Sequence, residues 1–144
     1  MLMTRFYCCF CSLVLLSLVI GCSGNVGLRG KITFSDDDSP VTAGTVAFRK
    51  DGRIARGDIK EDGTYIVGFE RETDGLPPGK YEVFLTGTDK VTATLIDEVR
   101  EIYDYVYEPL LDKKYESPET SGITLEVTAS TKVFDFKVDR YKGR

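Results

Sequence analysis

Apolar residues recur at every second position through much of this chain. In 28–34, Leu28, Gly30, Ile32 and Phe34 fall on one face and Arg29, Lys31 and Thr33 on the other. Period 2 with β-branched and aromatic residues predicts a half-buried strand. The same pattern predicts strands at 45–49, with Val46 and Phe48 inward, and at 54–59, 64–69 and 80–86. Two more follow at 123–128 and 133–138. Asp51-Gly52 and Asp62-Gly63 mark hairpin turns, because Asp and Gly tolerate positive φ. Ser35 to Pro40 reads as a polar turn, and Gly75-Leu76-Pro77-Pro78-Gly79 as a rigid loop that two prolines keep out of any sheet. Seven short strands separated by turn signals predict an all-β fold, an antiparallel sandwich of seven to eight strands.

Residues 89–121 carry two patterns at once. Val91 to Ile96 extends a strand. From Asp97 to Leu111, Val99, Ile102, Val106 and Leu110 keep near-helical spacing, while Tyr103, Tyr105 and Tyr107 alternate as a strand does. Periodicity leaves both assignments open.

The N-terminus follows another rule. Arg5 precedes an apolar run from Phe6 to Ile20, closed by Gly21-Cys22. A positive start, a short apolar core and small residues at its end describe a signal peptide. About 15 apolar residues are short for the ~20 of a membrane-spanning helix. Val19-Ile20-Gly21-Cys22 resembles a bacterial lipobox. That resemblance implies cleavage before Cys22, acylation of Cys22 and a lipid anchor outside the cytoplasm, on the periplasmic or cell-surface side. The expected organisation is a signal peptide at 1–21, an acylated tether at 22–25 and one domain at 26–140. Two or three acyl chains hold a protein firmly to a bilayer where one does not.

Removing 1–21 takes away Arg5 alone among the charges. It leaves 123 residues with 18 basic and 23 acidic groups, hence −5. That length suffices for one core. No basic run exists to gather phosphates, so nucleic acid is not an expected partner. Cys8, Cys9, Cys11 and Cys22 are the only cysteines, so the domain has no disulfide. Histidine is absent throughout, which removes His-dependent triads and mixed His zinc sites. The expectation is a non-enzymatic protein with no cofactor and no metal.

Several segments come in a recognisable order. They are Gly30-Lys31-Ile32-Thr33, Gly44-Thr45-Val46-Ala47-Phe48 and Glu61-Asp62-Gly63-Thr64-Tyr65. Gly75-Leu76-Pro77-Pro78-Gly79-Lys80-Tyr81-Glu82-Val83, Lys114-Tyr115, Ser117 to Ile123 and Phe134-Asp135-Phe136 follow. Together they resemble small bacterial lipoproteins built on a carboxypeptidase-regulatory-like, transthyretin-like domain. The resemblance implies a prealbumin-like sandwich and no defined activity. In this chain the first turn is more acidic, and 103–108 longer and more aromatic, than in that pattern.

Three groups remain as candidate chemistry. Tyr103, Tyr105 and Tyr107, if extended, make a row of flat rings suited to a glycan or a protein partner in the envelope. The blander reading has them covering an edge or end of the sandwich. Asp36-Asp37-Asp38 offers the oxygen donors calcium takes, although consecutive residues of an extended segment point apart. A solvated turn is the plainer reading. Tyr115 is expected to pack with its hydroxyl on backbone near a strand corner. Open sheet edges leave pairing with a second copy available, and the oligomeric state is not fixed by sequence.

Overall fold

The computed structural model describes residues 24–143, so the signal segment and Cys22 lie outside the described residues. Nine strands form: β1 Leu28–Phe34, β2 Thr45–Lys50, β3 Arg53–Asp58, β4 Thr64–Val67, β5 Gly79–Thr86, β6 Asp89–Asp97, β7 Ile102–Pro109, β8 Ile123–Val127 and β9 Phe136–Val138. A 3-10 turn, Lys113–Glu116, and one helical turn, α1 Pro118–Ser121, precede β8. Strands β4-β1-β9 make one sheet, β3-β2-β5-β8 a second, and β6-β7 a two-stranded ribbon of their own. The two larger sheets pack as a sandwich around one shared core.

Alternation explains the layers. Along β1 the inward residues Leu28, Gly30, Ile32 and Phe34 are buried while Arg29 and Lys31 are exposed. Strand β5 buries Tyr81, Val83 and Leu85 on the facing sheet. Phe48 of β2 lies between the layers, its ring 6.2 Å from Tyr65, 6.4 Å from Tyr81 and 6.4 Å from Phe134. Such pairs add about 0.5–1.5 kcal/mol each beyond their burial. Buried hydroxyls need partners. Tyr65 donates to the Phe134 carbonyl at 2.5 Å, and Tyr81 to the Pro77 carbonyl at 2.8 Å. Burial, with the Asp135 carboxylate adding to it, raises the Tyr65 phenol far above its usual titration range, so it stays a donor.

Three details differ from the pattern-based expectation. Strand β9 joins β1 in parallel, Ile32 opposite Phe136, whereas every other strand pair is antiparallel. The chain leaves β8 in the other sheet and crosses the sandwich before reaching β9, which supplies the crossover that parallel pairing needs. Its regular part is also shorter than the alternation suggests. Val133 makes only an isolated bridge to Arg29, and continuous pairing starts at Phe136. Finally, Asp51-Gly52 is a two-residue hairpin turn with φ of 49° and 76°, but Asp62-Gly63 is not. It lies in a wider loop closed from Lys60 N–H to the Thr64 carbonyl, and it carries the chain from one sheet to the other. The Asp62 carboxylate accepts from Thr64 N–H, a turn-forming bond that does not require strand pairing.

Gly30 sets how close the last segment comes. The Phe134 amide donates to the Arg29 carbonyl, which brings the Phe134 backbone over β1. A β-carbon at Gly30 would stand 1.9 Å from the Phe134 carbonyl oxygen and 2.6 Å from the Tyr65 hydroxyl. Gly30→Ala is therefore expected to lower unfolding stability by about 1–3 kcal/mol, the usual cost of overpacking. Urea unfolding checks this, and an unchanged midpoint would mean that Phe134 is not held there.

Candidate functional site

The ribbon β6-β7 resolves the ambiguous stretch as two strands with a short turn. Asp97 nucleates that turn by accepting from Val99 and Arg100 amides, and Glu101 takes φ of 52°. Between Lys90 and Glu108 every residue except Asp97 is exposed. The ribbon is thus an arm, not a cover for the sandwich edge. Tyr103, Tyr105 and Tyr107 are 47%, 53% and 63% exposed, which sets aside the reading in which they close the sandwich.

Pairing register then sorts the arm into two faces. Val91 lies opposite Tyr107, Ala93 opposite Tyr105 and Leu95 opposite Tyr103. Directly opposed residues share a face, so these six form one uncharged surface, with the Tyr103 and Tyr105 rings 6.3 Å apart. Lys90 opposite Glu108, Thr92 opposite Val106 and Thr94 opposite Asp104 make the other face. Alternation in the sequence singles out the tyrosines but not Val91, Ala93 and Leu95 as their partners. The signal was their shared alternation, which becomes legible only when the turn at 98–101 sets the register.

The arm and the N-terminus lie at opposite ends of the sandwich. Val26 enters by exchanging backbone bonds with Leu76, at the start of β5. The arm departs beyond Thr86, at the finish of β5, and returns where Leu110 N–H reaches the Thr88 carbonyl. Gly44 meets Ile59 at that same end.

Close to the arm's base, the acidic turn is internally satisfied. Arg140 places its guanidinium against both Asp36 and Asp37, at 3.0 and 2.9 Å, and stacks 3.6 Å from the centre of the Phe34 ring. Lys137 takes Asp38 at 2.5 Å. The three carboxylates thus meet three cationic contacts rather than converging on a shared point. Among the described residues, no group of three or more carboxylates, cysteines or histidines is arranged to hold a metal ion. Ser39 gives Asp37 two bonds, from its hydroxyl at 2.7 Å and its amide at 3.0 Å. These bonds, with Arg140, hold Asp37 down at about 2.

Tyr115 differs slightly from expectation. Its hydroxyl accepts from the Asp139 amide at 3.2 Å and also donates to the Asp139 carboxylate at 3.0 Å. Lys114, at 2.6 Å, contributes most to holding that carboxylate below its ordinary range, followed by Ser35 and Tyr115. In return, Asp139 raises Lys114 to about 12. These contacts tie the end of the chain to the first turn and to the segment after the arm.

Elsewhere, Arg29, Lys31, Lys60, Ile66 and Val133 line a shallow depression of about 280 Å³ on the outer face of β4-β1-β9. No described helix is long and apolar enough to cross a membrane.

No protein-family model matches the chain, and a search of curated proteins gives no match. Among solved structures, the chain is similar to the major pilin subunit of Bacillus cereus, at 12% identity and TM-score 0.46. That likeness covers 83% of this chain and 30% of the pilin. It is also similar to a 9R-lipoxygenase from Cyanothece PCC8801, at 14% identity and TM-score 0.34, over 78% of this chain and 16% of the enzyme. The chain thus spans less than a third of either protein.

Acid sensitivity follows from the bonds on Asp37, those from Ser39 first and the Arg140 guanidinium after them. A carboxylate whose folded pKa is depressed adds stability above its unfolded value and loses it as pH falls through the folded value. For Asp37 that window runs from 3.8 down to about 2. Arg140→Ala is expected to destabilise the protein more at pH 7 than at pH 2, with the gap narrowing below pH 4. Urea unfolding at both pH values checks it. An equal loss at both would mean that Arg140 acts only by stacking on Phe34.

Proposed function

We propose that this chain is a lipid-anchored extracytoplasmic lipoprotein. Its single β-sandwich serves as a non-enzymatic structural or protein-interaction module of the cell envelope, with the carboxypeptidase-regulatory-like, transthyretin-like resemblance as its family reading. The observation that carries the interaction role is the uncovered face of Val91, Ala93, Leu95, Tyr103, Tyr105 and Tyr107, on an arm at the end of the sandwich remote from Val26. Exposed apolar surface of this kind is costly unless it meets a partner. For the anchor, support comes from the sequence: Arg5, the apolar run and Val19-Ile20-Gly21-Cys22. Ser23 to Asn25 leaves only a short leader between Cys22 and the sandwich, so an acylated Cys22 would hold the domain near the bilayer with its arm directed away.

A second reading takes the same tyrosines as a platform for a carbohydrate or small solute. Its support is the spacing of Tyr103 and Tyr105, whose rings stand in a tilted pair open to solvent. Asp104 lies on the opposite face of the ribbon and so does not oppose a ligand there.

Cys22→Ala tests the anchor. The parent chain is expected to take up labelled fatty acid and to sediment with membranes, and the variant to do neither. Membrane retention of the variant, with no acyl label on the parent, would contradict the lipoprotein reading.

A further inference from the structure

We propose that the uncharged face of the β6-β7 arm docks on the same face of a second copy, giving a symmetric dimer through a four-stranded miniature sandwich. The first argument is stability. A two-stranded ribbon alone is marginal in water, and three or more strands or a packed face are normally needed. Here the ribbon has neither, because its strands pair only with each other.

The second argument is the distribution of apolar surface. Twelve large hydrophobic side chains are exposed among the described residues, and nine of them lie between Val91 and Tyr107. The remaining three, Ile66, Val133 and Tyr141, offer no comparable surface. The depression that holds Ile66 and Val133 is ringed by charges of both signs, Arg29, Lys31, Lys60 and Asp135, which an uncharged face would have to strip of water without pairing them. The best match on the molecule to this face is the face itself.

Charge placement gives the third argument. Residues 89–109 hold six acidic and two basic groups, so two arms approaching at random repel. Lys90, Asp104 and Glu108 lie on the far face, and Asp97, Glu98, Arg100 and Glu101 at the tip. Only Asp89, opposite Pro109 at the base, shares the tyrosine face. Face-to-face docking therefore keeps the arm's strand charges in water, as a two-layer β packing requires, except for Asp89 at the rim of the base.

Area sets the expected strength. Three half-exposed tyrosines with Val91 and Leu95 offer on the order of 400 Å² per arm. About 800 Å² in total is below the ~1,200 Å² of a stable interface, so the dimer is weak in dilute solution. Two copies anchored in one membrane would raise their effective concentration and convert weak contact into occupancy. Only this last step rests on the lipoprotein reading; the contact itself does not.

Sedimentation equilibrium of the full-length chain in a density-matched mild detergent, from low micromolar to near-millimolar protein, tests the proposal. A monomer–dimer equilibrium is expected. Tyr105→Arg, which places a charge at the centre of the face, and the triple variant Tyr103→Ser, Tyr105→Ser, Tyr107→Ser should each weaken it more than about a hundredfold, as buried aromatic anchors do. Their thermal midpoints should stay unchanged, because the arm does not contribute to the sandwich core. Arg29→Glu and Asp104→Asn should leave the dimer intact. A chain that is monomeric throughout, a dimer that survives Tyr105→Arg, or a dimer lost with Arg29→Glu would each overturn the proposal. Monomer whose tyrosine fluorescence is quenched by neutral envelope glycans, with the quenching lost in the triple variant, would overturn it in favour of the carbohydrate reading.

Discussion

Phe48 is the contact on which the two larger sheets depend. Its ring meets Tyr65 and Phe134 from one side and Tyr81 on its own sheet, and it is fully buried. No disulfide can substitute for that packing, since residues 24–143 contain no cysteine. The hydroxyls of Tyr65 and Tyr81 reach backbone carbonyls at the edge of the core, so large aromatic groups enter without stranding a polar atom. Gly30 then allows Phe134 to close over β1.

Around this core, the chain ends are fastened by polar contacts. Arg140 reaches back to Asp36 and Asp37, Lys137 to Asp38, and Lys114 with Tyr115 to Asp139. Exposed ion pairs individually contribute little, and a shared network with a stacked Arg contributes more. The acidic turn, the segment after the arm and the last strand thus form one fastened end. The arm leaves from that end, which gives it a firm base although its own two strands pack on no third.

The sandwich strands are legible in the sequence because each turns one face to the core, and burial of that face writes a period of 2 into the residues, even though β2 and β5 also bury Ala47 and Phe84 on the other face. Strand β1 is the clearest case, with its strict alternation from Leu28 to Phe34. Sheet membership is less legible. Asp62-Gly63 looks like Asp51-Gly52 in sequence, yet one turns the chain within a sheet and the other carries it across the core. The parallel approach of β9 depends on that same long-range wiring. The arm is harder still: both of its faces are exposed, so Val99, Ile102, Val106 and Leu110 keep a helix-like spacing that no core overrides. Its tyrosines stand out by composition, whereas their partners Val91, Ala93 and Leu95 emerge only from cross-strand register.

Hydrogen–deuterium exchange, followed by peptide across a range of protein concentrations, tests the central division between a self-sufficient sandwich and an arm that needs a partner. Amides of β2 and β5 are expected to exchange slowly at every concentration. Those of 89–109 should exchange quickly in dilute protein and slow down as concentration rises, because local openings govern exchange where few buried contacts hold a segment. An arm protected in dilute monomer as strongly as β5 would contradict the account, since the ribbon would then be stable without anything covering its tyrosine face.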